Sequence, residues 1–130
     1  MPANLVGVGA DLVDLDRFRI VLERTPTIVA RLFTDGEQAY ARARRDPTER
    51  FGARFAAKEA AMKAMGVGLG DVRFRDLEVA RLDSGAPRLV LHGSAAELAR
   101  SQGITDWRLT LSHTDHLAQA IVVALGRAGR

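Results

Sequence analysis

Two acids and a lysine stand where a solvated charge is out of place. Glu59 lies in the run ERFGARFAAKEAAMKAM at residues 49–65. At about 100° per residue, Phe51, Phe55 and Met62 form one apolar stripe of a helix. Ala56, Ala57, Ala60 and Ala64 form a second stripe, small enough for another backbone to pack closely. Glu59 falls between the two stripes, and Lys63 follows one turn later on nearly the same face. As a surface feature this pair would be an i,i+4 helix stabiliser worth about 0.2–0.5 kcal/mol. Its apolar flanks favour a chemical role instead. Asp11 is the second unusual acid: it follows LVGVGA at residues 5–10 and has Val8, Leu12 and Val13 around it. One carboxylate from each segment would suit Mg²⁺, which takes oxygen ligands and keeps positions for water and substrate phosphate. Two carboxylates without histidine or cysteine are a poor zinc site. Whether Asp11 and Glu59 meet is not visible from their positions in the chain.

Other chemistries find less support. The chain has no cysteine, which excludes disulfides, thiolate metal sites and a cysteine nucleophile. Gly7-Val-Gly9 lacks the third glycine of a dinucleotide-binding turn, because Leu12 occupies that place, and no phosphate-cradling loop ends in Gly-Lys-Ser/Thr. Ser112 and His113 are adjacent, so a strand running through them would send their side chains to opposite faces, against a serine–histidine dyad. His113 can still bond a phosphate or a substrate hydroxyl; a turn histidine without a role is the plainer reading of its chemistry. His92 and His116 have no partner at metal-ligand spacing.

These residues need elements to carry them. A short buried strand at 5–10 precedes a helix that Asp14 caps and that Leu15, Phe18 and Leu22 mark at helical spacing. That helix must stop before Thr25-Pro26, and a second short one starts at Pro26. Thr34-Asp-Gly-Glu37 is a capping box opening a third helix, which should end near Asp46-Pro47. Thr48 is expected to cap the longest helix, with Gly66 closing it and Gly66–Gly70 forming a flexible loop. On this wheel Lys58 takes a more exposed face than Lys63. Strands at about 74–82 and 88–92 flank the turn Asp83–Pro87. Ser94-Ala-Ala-Glu97 reads as another capping box, with its helix ending at Gly103. Trp107–Leu111 and Leu117–Leu125 form a hairpin around Ser112–His116. Helices mixed with antiparallel hairpins indicate an α+β fold: one domain over 1–130, an antiparallel sheet packed on the long helix, and several short helices.

The 130 residues are enough to bury a core, and a charged fraction of 27% is ordinary for a globular protein. The N-terminus has no basic run before its apolar stretch, and no apolar run approaches the roughly 18 residues of a membrane span. A cytoplasmic enzyme or binding domain is the expectation, with no membrane partner. Arginines cluster at 17–31 and 42–50, giving a net charge of +3 and a pI near 10.2. A basic face implies an anionic partner: a phosphorylated ligand, an acidic protein or nucleic acid; a merely solvated arginine surface accounts for it equally well. Aromatics make up only 5%, none interleaved with basic residues, and no nucleic-acid recognition motif occurs.

Three separated segments together resemble the bacterial holo-acyl-carrier-protein synthases, the small 4′-phosphopantetheinyl transferases. They are GVGADLVDLDRF at 7–18, RFAAKEAAMKAMG at 54–66, and Leu111-Ser-His-Thr114 running into the alanine- and valine-rich strand at 118–124. They stand in the family's order and spacing, and with their connections cover essentially the whole chain. The resemblance implies transfer of phosphopantetheine from coenzyme A to a serine of apo-acyl carrier protein, leaving 3′,5′-ADP, in support of fatty-acid or polyketide synthesis. It implies that Asp11 and Glu59 hold Mg²⁺ as cofactor. Glu59, Lys63 and His113 would serve catalysis. Arg54, Lys63, Gly66 and His113 would face coenzyme A. Arg17 would face the carrier, and Arg24, seven residues on, shares its helix face. The nucleophile would be the carrier's serine, which accounts for the missing nucleophile here. No role transfers to the variable 42–50 connection. Family members are generally trimers with composite sites. A coenzyme A-binding module without transferase activity would keep Lys63 and His113 but lack one acid; both acids are present.

Overall fold

A computed structural model describes residues 3–127. Its elements run β1 (Ala3–Asp14), α1 (Leu15–Arg24), α2 (Ile28–Leu32), α3 (Asp35–Arg42) and α4 (Thr48–Ala64). A single 3₁₀ turn (Phe74–Asp76) leads into β2 (Leu77–Arg81) and β3 (Pro87–Leu91), followed by α5 (Gly93–Ser101), β4 (Ile104–His113) and β5 (Leu117–Arg127). The strands form an antiparallel sheet in the order β1-β5-β4 and a separate β2-β3 hairpin. The fold is α+β, as the pattern of helices and hairpins indicates.

The sheet is built to receive one helix at close range. Ala118, Ala120, Val122 and Ala124 on β5 are fully buried beneath α4. On β1 a Cβ at Gly7 would run into the Ala64 carbonyl, and one at Gly9 into that of Ala60. Two residues of strand advance about 6.8 Å and four residues of helix about 6 Å, so alternate β1 positions meet successive turns of α4. This explains the Gly-x-Gly pattern without a nucleotide, and it realises the close backbone approach expected of the alanine stripe.

Several local signals hold. Asp14 accepts the Arg17 N–H at the start of α1, Thr34 and Glu37 make a reciprocal capping box, and α1 ends at Arg24. Gly66 takes φ +70°, with its own N–H donating to the Lys63 carbonyl and that of Val67 to the Met62 carbonyl, a Schellman closure.

Other boundaries move for tertiary reasons. β1 extends through Asp11 to Asp14, because β5 supplies ladder partners as far as the Asp14–Leu117 pair. α3 stops at Arg42, well before Asp46. Thr48 lies inside α4 rather than capping it; the Asp46 carboxylate accepts the Thr48 N–H instead. The 74–82 segment begins as the 3₁₀ turn. Ser94–Glu97 is not a capping box: the distant Asp76 accepts from both the N–H and the hydroxyl of Ser94. β4 starts at Ile104, three residues ahead of Trp107.

The largest correction concerns Lys58. It is completely buried, not on an exposed face, because α4 is packed on two sides. The sheet covers one side, while α3 and β2 cover the other. Phe55, Glu59 and Lys63 form the open edge between these layers.

Candidate active site at the edge of the long helix

The alternation that turns Gly7 and Gly9 toward α4 also turns Asp11 toward it, one helical turn farther along. Lys63 reaches back across this contact. Its Nζ donates to the Asp11 carboxylate at 3.1 Å and to the Ala10 carbonyl at 3.0 Å. Asp11 is mostly covered, while the Lys63 side chain is 54% exposed. Glu59 sits beside them, and its carboxyl is held above the usual carboxylate range. Burial is the main cause, the nearby Asp11 charge adds to it, and Lys63 opposes it. Desolvated like charges of this kind ask for a cation.

Asp11 and Glu59 open onto a cleft of about 460 Å³, walled by Phe18, Val21 and Phe55 and rimmed by Arg17. Among the described residues no group of three or more acids or histidines gathers at one point. Two carboxylates plus open positions fit Mg²⁺, which keeps several waters and takes substrate phosphate oxygens. The residues present therefore suit the ion that the two-acid pattern suggested.

The other candidates are dispersed. The Arg17 guanidinium forms no ion pair among the described residues: Asp14 takes only its backbone N–H, while Asp16 pairs with Arg19 and His116. Arg24 likewise ends α1 exposed and without an acidic partner. Gly66 terminates α4 just beyond Lys63. Ser112 and His113 alternate along β4, so no dyad forms. His113 stands at the other end of α4, its Nδ1 3.2 Å from Glu49. Ten residues of helix, about 15 Å, separate Glu49 from Glu59, so this chain does not bring His113 to its own carboxylate pair.

Arg54 is also remote from Lys63. Nine helical positions turn through about 180°, onto the opposite face. Arg54 is 96% buried against the Tyr40 ring, which Arg50 and Arg81 also approach, at 4.2, 3.9 and 4.8 Å respectively from ring centroid to guanidinium carbon. The Arg54 Nε has no hydrogen-bond partner, and burial pulls the guanidinium's pKa down. Arg54, Tyr40 and Arg81 line a hollow of about 210 Å³. Sequence reasoning missed Tyr40, Arg50 and Arg81 as a group; the available hint was a lone tyrosine beside Arg42–Arg50, in a segment given no role.

Similarity to known proteins agrees with this geometry. The family model of the 4′-phosphopantetheinyl transferase superfamily matches residues 7–121. A holo-[acyl-carrier-protein] synthase of Frankia casuarinae is 46% identical over 120 residues, covering 92% of this chain and 97% of that protein. One from Moorella thermoacetica is 40% identical over 119 residues, covering 92% and 93%. The crystal structure of the Bacillus anthracis synthase in complex with CoA (3′,5′-ADP) superposes with a TM-score of 0.79 at 32% identity, covering 95% of this chain and 98% of that one. The chain belongs to the 4′-phosphopantetheinyl transferase superfamily and, within it, to the holo-[acyl-carrier-protein] synthases.

Proposed function

We propose that this chain is one transferase domain that moves 4′-phosphopantetheine from coenzyme A onto a serine of apo-acyl carrier protein, with Mg²⁺, releasing 3′,5′-ADP. The observation carrying this reading is the pair of partly buried acids Asp11 and Glu59, with Lys63 beside them, at the head of a cleft whose rim presents an unpaired Arg17. When bound between Asp11 and Glu59, Mg²⁺ supplies charge neutralisation for the pyrophosphate. Lys63, an exposed ammonium on the same edge, donates to the phosphate oxygens that gain charge as the bond breaks. The serine oxygen forms a bond to the phosphorus bearing pantetheine, and the bond from that phosphorus to the departing 3′,5′-ADP breaks. Glu59 would take the serine proton, directly or through a water. Gly66 lets the chain turn away from Lys63 without a side chain, keeping the phosphate approach open.

Arg54 and His113 contribute to the same reaction from a neighbouring copy. Neither reaches Lys63 within one chain, and a site shared between copies would let both meet one extended coenzyme. The face of the sheet away from α4 supports self-association, as the trimer would need: Val8 and Leu12 on β1 and Ile121 on β5 are exposed there, an apolar patch in need of cover. Arg54, with its unpaired Nε, Arg50 and Arg81 would hold an anionic group of the coenzyme. Arg17 and Arg24 face the carrier, whose recognition helix is acidic. No helix among the described residues is long and apolar enough to cross a membrane; the enzyme acts in the cytoplasm, in fatty-acid synthesis.

The test is direct. The protein is incubated with coenzyme A, Mg²⁺ and an apo-carrier, and the carrier is weighed. A gain of one phosphopantetheine, abolished by EDTA and by Asp11→Ala, is the expected result. An unmodified carrier, or full activity in that variant, refutes the reading. Size-exclusion chromatography with light scattering tests the trimer, and a monomer at assay concentration refutes the shared site.

A further inference from the structure

We propose that the buried Lys58 is a positioning residue that sets the rotation of α4, and so aims Glu59 at Asp11. This inference rests on the function proposed above. Lys58 donates all three of its protons in a closed chamber: to Glu37 Oε1 at 2.8 Å, the Phe74 carbonyl at 2.9 Å and the Leu77 carbonyl at 2.7 Å. Glu37 is equally committed, accepting the Thr34 N–H at 2.9 Å and the Val79 N–H at 2.8 Å. Both side chains have no exposure at all. One ammonium thus ties α4 to α3, to the 3₁₀ turn and to β2.

The opposite side of α4 sets this angle less firmly. There the middle of the helix rests on Gly7, Gly9 and the alanines of β5, a smooth surface, and the bonds across to β1 come from Lys63, whose side chain is half exposed. Buried directional bonds on the Lys58 side add what this smooth packing lacks, a register role that is the best-attested use of buried polar and charged groups. Lys58 and Glu59 are consecutive, so their side chains diverge by about 100°, and holding one directs the other. The anchor reaches the cleft by a second route. The Phe74 ring stacks on Phe55, with centroids 5.6 Å apart, and Phe55 walls the cleft beside Glu59.

The test is the full-length Glu37→Gln/Lys58→Met double variant, which removes both charges together, so that no unpaired charge is buried; the Phe74 and Leu77 carbonyls lose the ammonium, and one of the Thr34 and Val79 N–H groups loses its acceptor. Thermal melting, Mg²⁺ affinity by titration calorimetry with coenzyme A present, kcat and carrier KM are measured. The expected result is a folded protein that melts lower than wild type, since buried hydrogen bonds are lost, with carrier KM near the wild-type value but Mg²⁺ affinity and kcat each lowered about tenfold, as for loss of a group that orients a metal ligand. A folded double variant with wild-type Mg²⁺ affinity and kcat overturns the proposal. If the double variant does not fold, Glu37→Gln alone is used, and unchanged Mg²⁺ affinity overturns it. If the wild-type protein neither binds Mg²⁺ nor transfers, the functional reading falls separately. The anchor is then read from amide exchange at residues 58–66: faster exchange in the variant supports it, and unchanged exchange overturns it.

Discussion

Replacing Glu59 by Gln keeps shape and removes charge, so it separates the two things this residue does. In the metal-free protein Glu59 titrates above the usual carboxylate range, because of burial first and the Asp11 charge second. A carboxyl raised in the fold contributes stability that is fully present below its unfolded pKa, about 4.3, and is lost as pH rises through the folded value. Without metal, therefore, Glu59→Gln should melt higher than wild type at neutral pH, and the two should converge below about pH 4. The side chain is partly exposed, so solvent screening keeps the gain small. With Mg²⁺ the order should invert. Wild type at a hundredfold excess over Kd gains about 2.7 kcal/mol, roughly 10 °C for a chain of this size. The variant loses a charge-assisted ligand worth about 1.5–3 kcal/mol, raising the Mg²⁺ needed for half-saturation about 10- to 150-fold. Thermal melts from pH 3.5 to 8, in EDTA and across a Mg²⁺ series, read both effects. A variant less stable than wild type in EDTA at pH 7, or one with unaltered Mg²⁺ half-saturation, would refute the crowded-carboxylate argument.

Lys63→Ala should lower kcat/KM for coenzyme A about 10- to 150-fold, through loss of a charge-assisted bond of about 1.5–3 kcal/mol, with little change in melting; steady-state kinetics beside a melt checks this. Lys58→Ala should instead be a folding lesion of about 3–5 kcal/mol, since it strands the buried Glu37 charge; a soluble, normally melting variant would contradict the Lys58–Glu37 geometry. Arg17→Glu should raise carrier KM several-fold while leaving coenzyme KM unchanged, and the effect should shrink with salt because it acts at a rim contact; a carrier KM indifferent to both charge and salt would move docking to the Arg42–Arg50 cluster. Gly9→Ala should cost at least the roughly 1–3 kcal/mol of overpacking, because the added methyl meets the Ala60 backbone rather than a side chain that can turn; denaturant unfolding measures it, and a neutral result would mean that β1 and α4 lie farther apart than described.

What could be read along the chain is what depends on near neighbours. Asp14, the Thr34–Glu37 box and Gly66 announce helix ends, because a cap is a bond between residues two to five apart. The alanine stripe of α4 advertises a close-packed face, and the Gly7 and Gly9 positions of β1 are what meet it. Asp11, Glu59 and Lys63 stand out because their charge contradicts their apolar neighbours. The helical wheel failed at Lys58 for a definite reason: a wheel assigns each residue an angle, but says nothing of what packs at that angle. Only the second layer, α3 and β2, turns the face carrying Lys58 from solvent into core. The same limit hid Asp76 as the cap of α5 and the stacking of Arg50, Arg54 and Arg81 on Tyr40, since these partners come from separate elements. Residue type and spacing set the candidate chemistry and the helix ends. The folded layers set which charge is buried, which is free to meet a ligand, and that His113 and Arg54 stand apart from the carboxylates they were grouped with. Burial and proximity are properties of packed surfaces, and one strand of sequence carries only its own side of each.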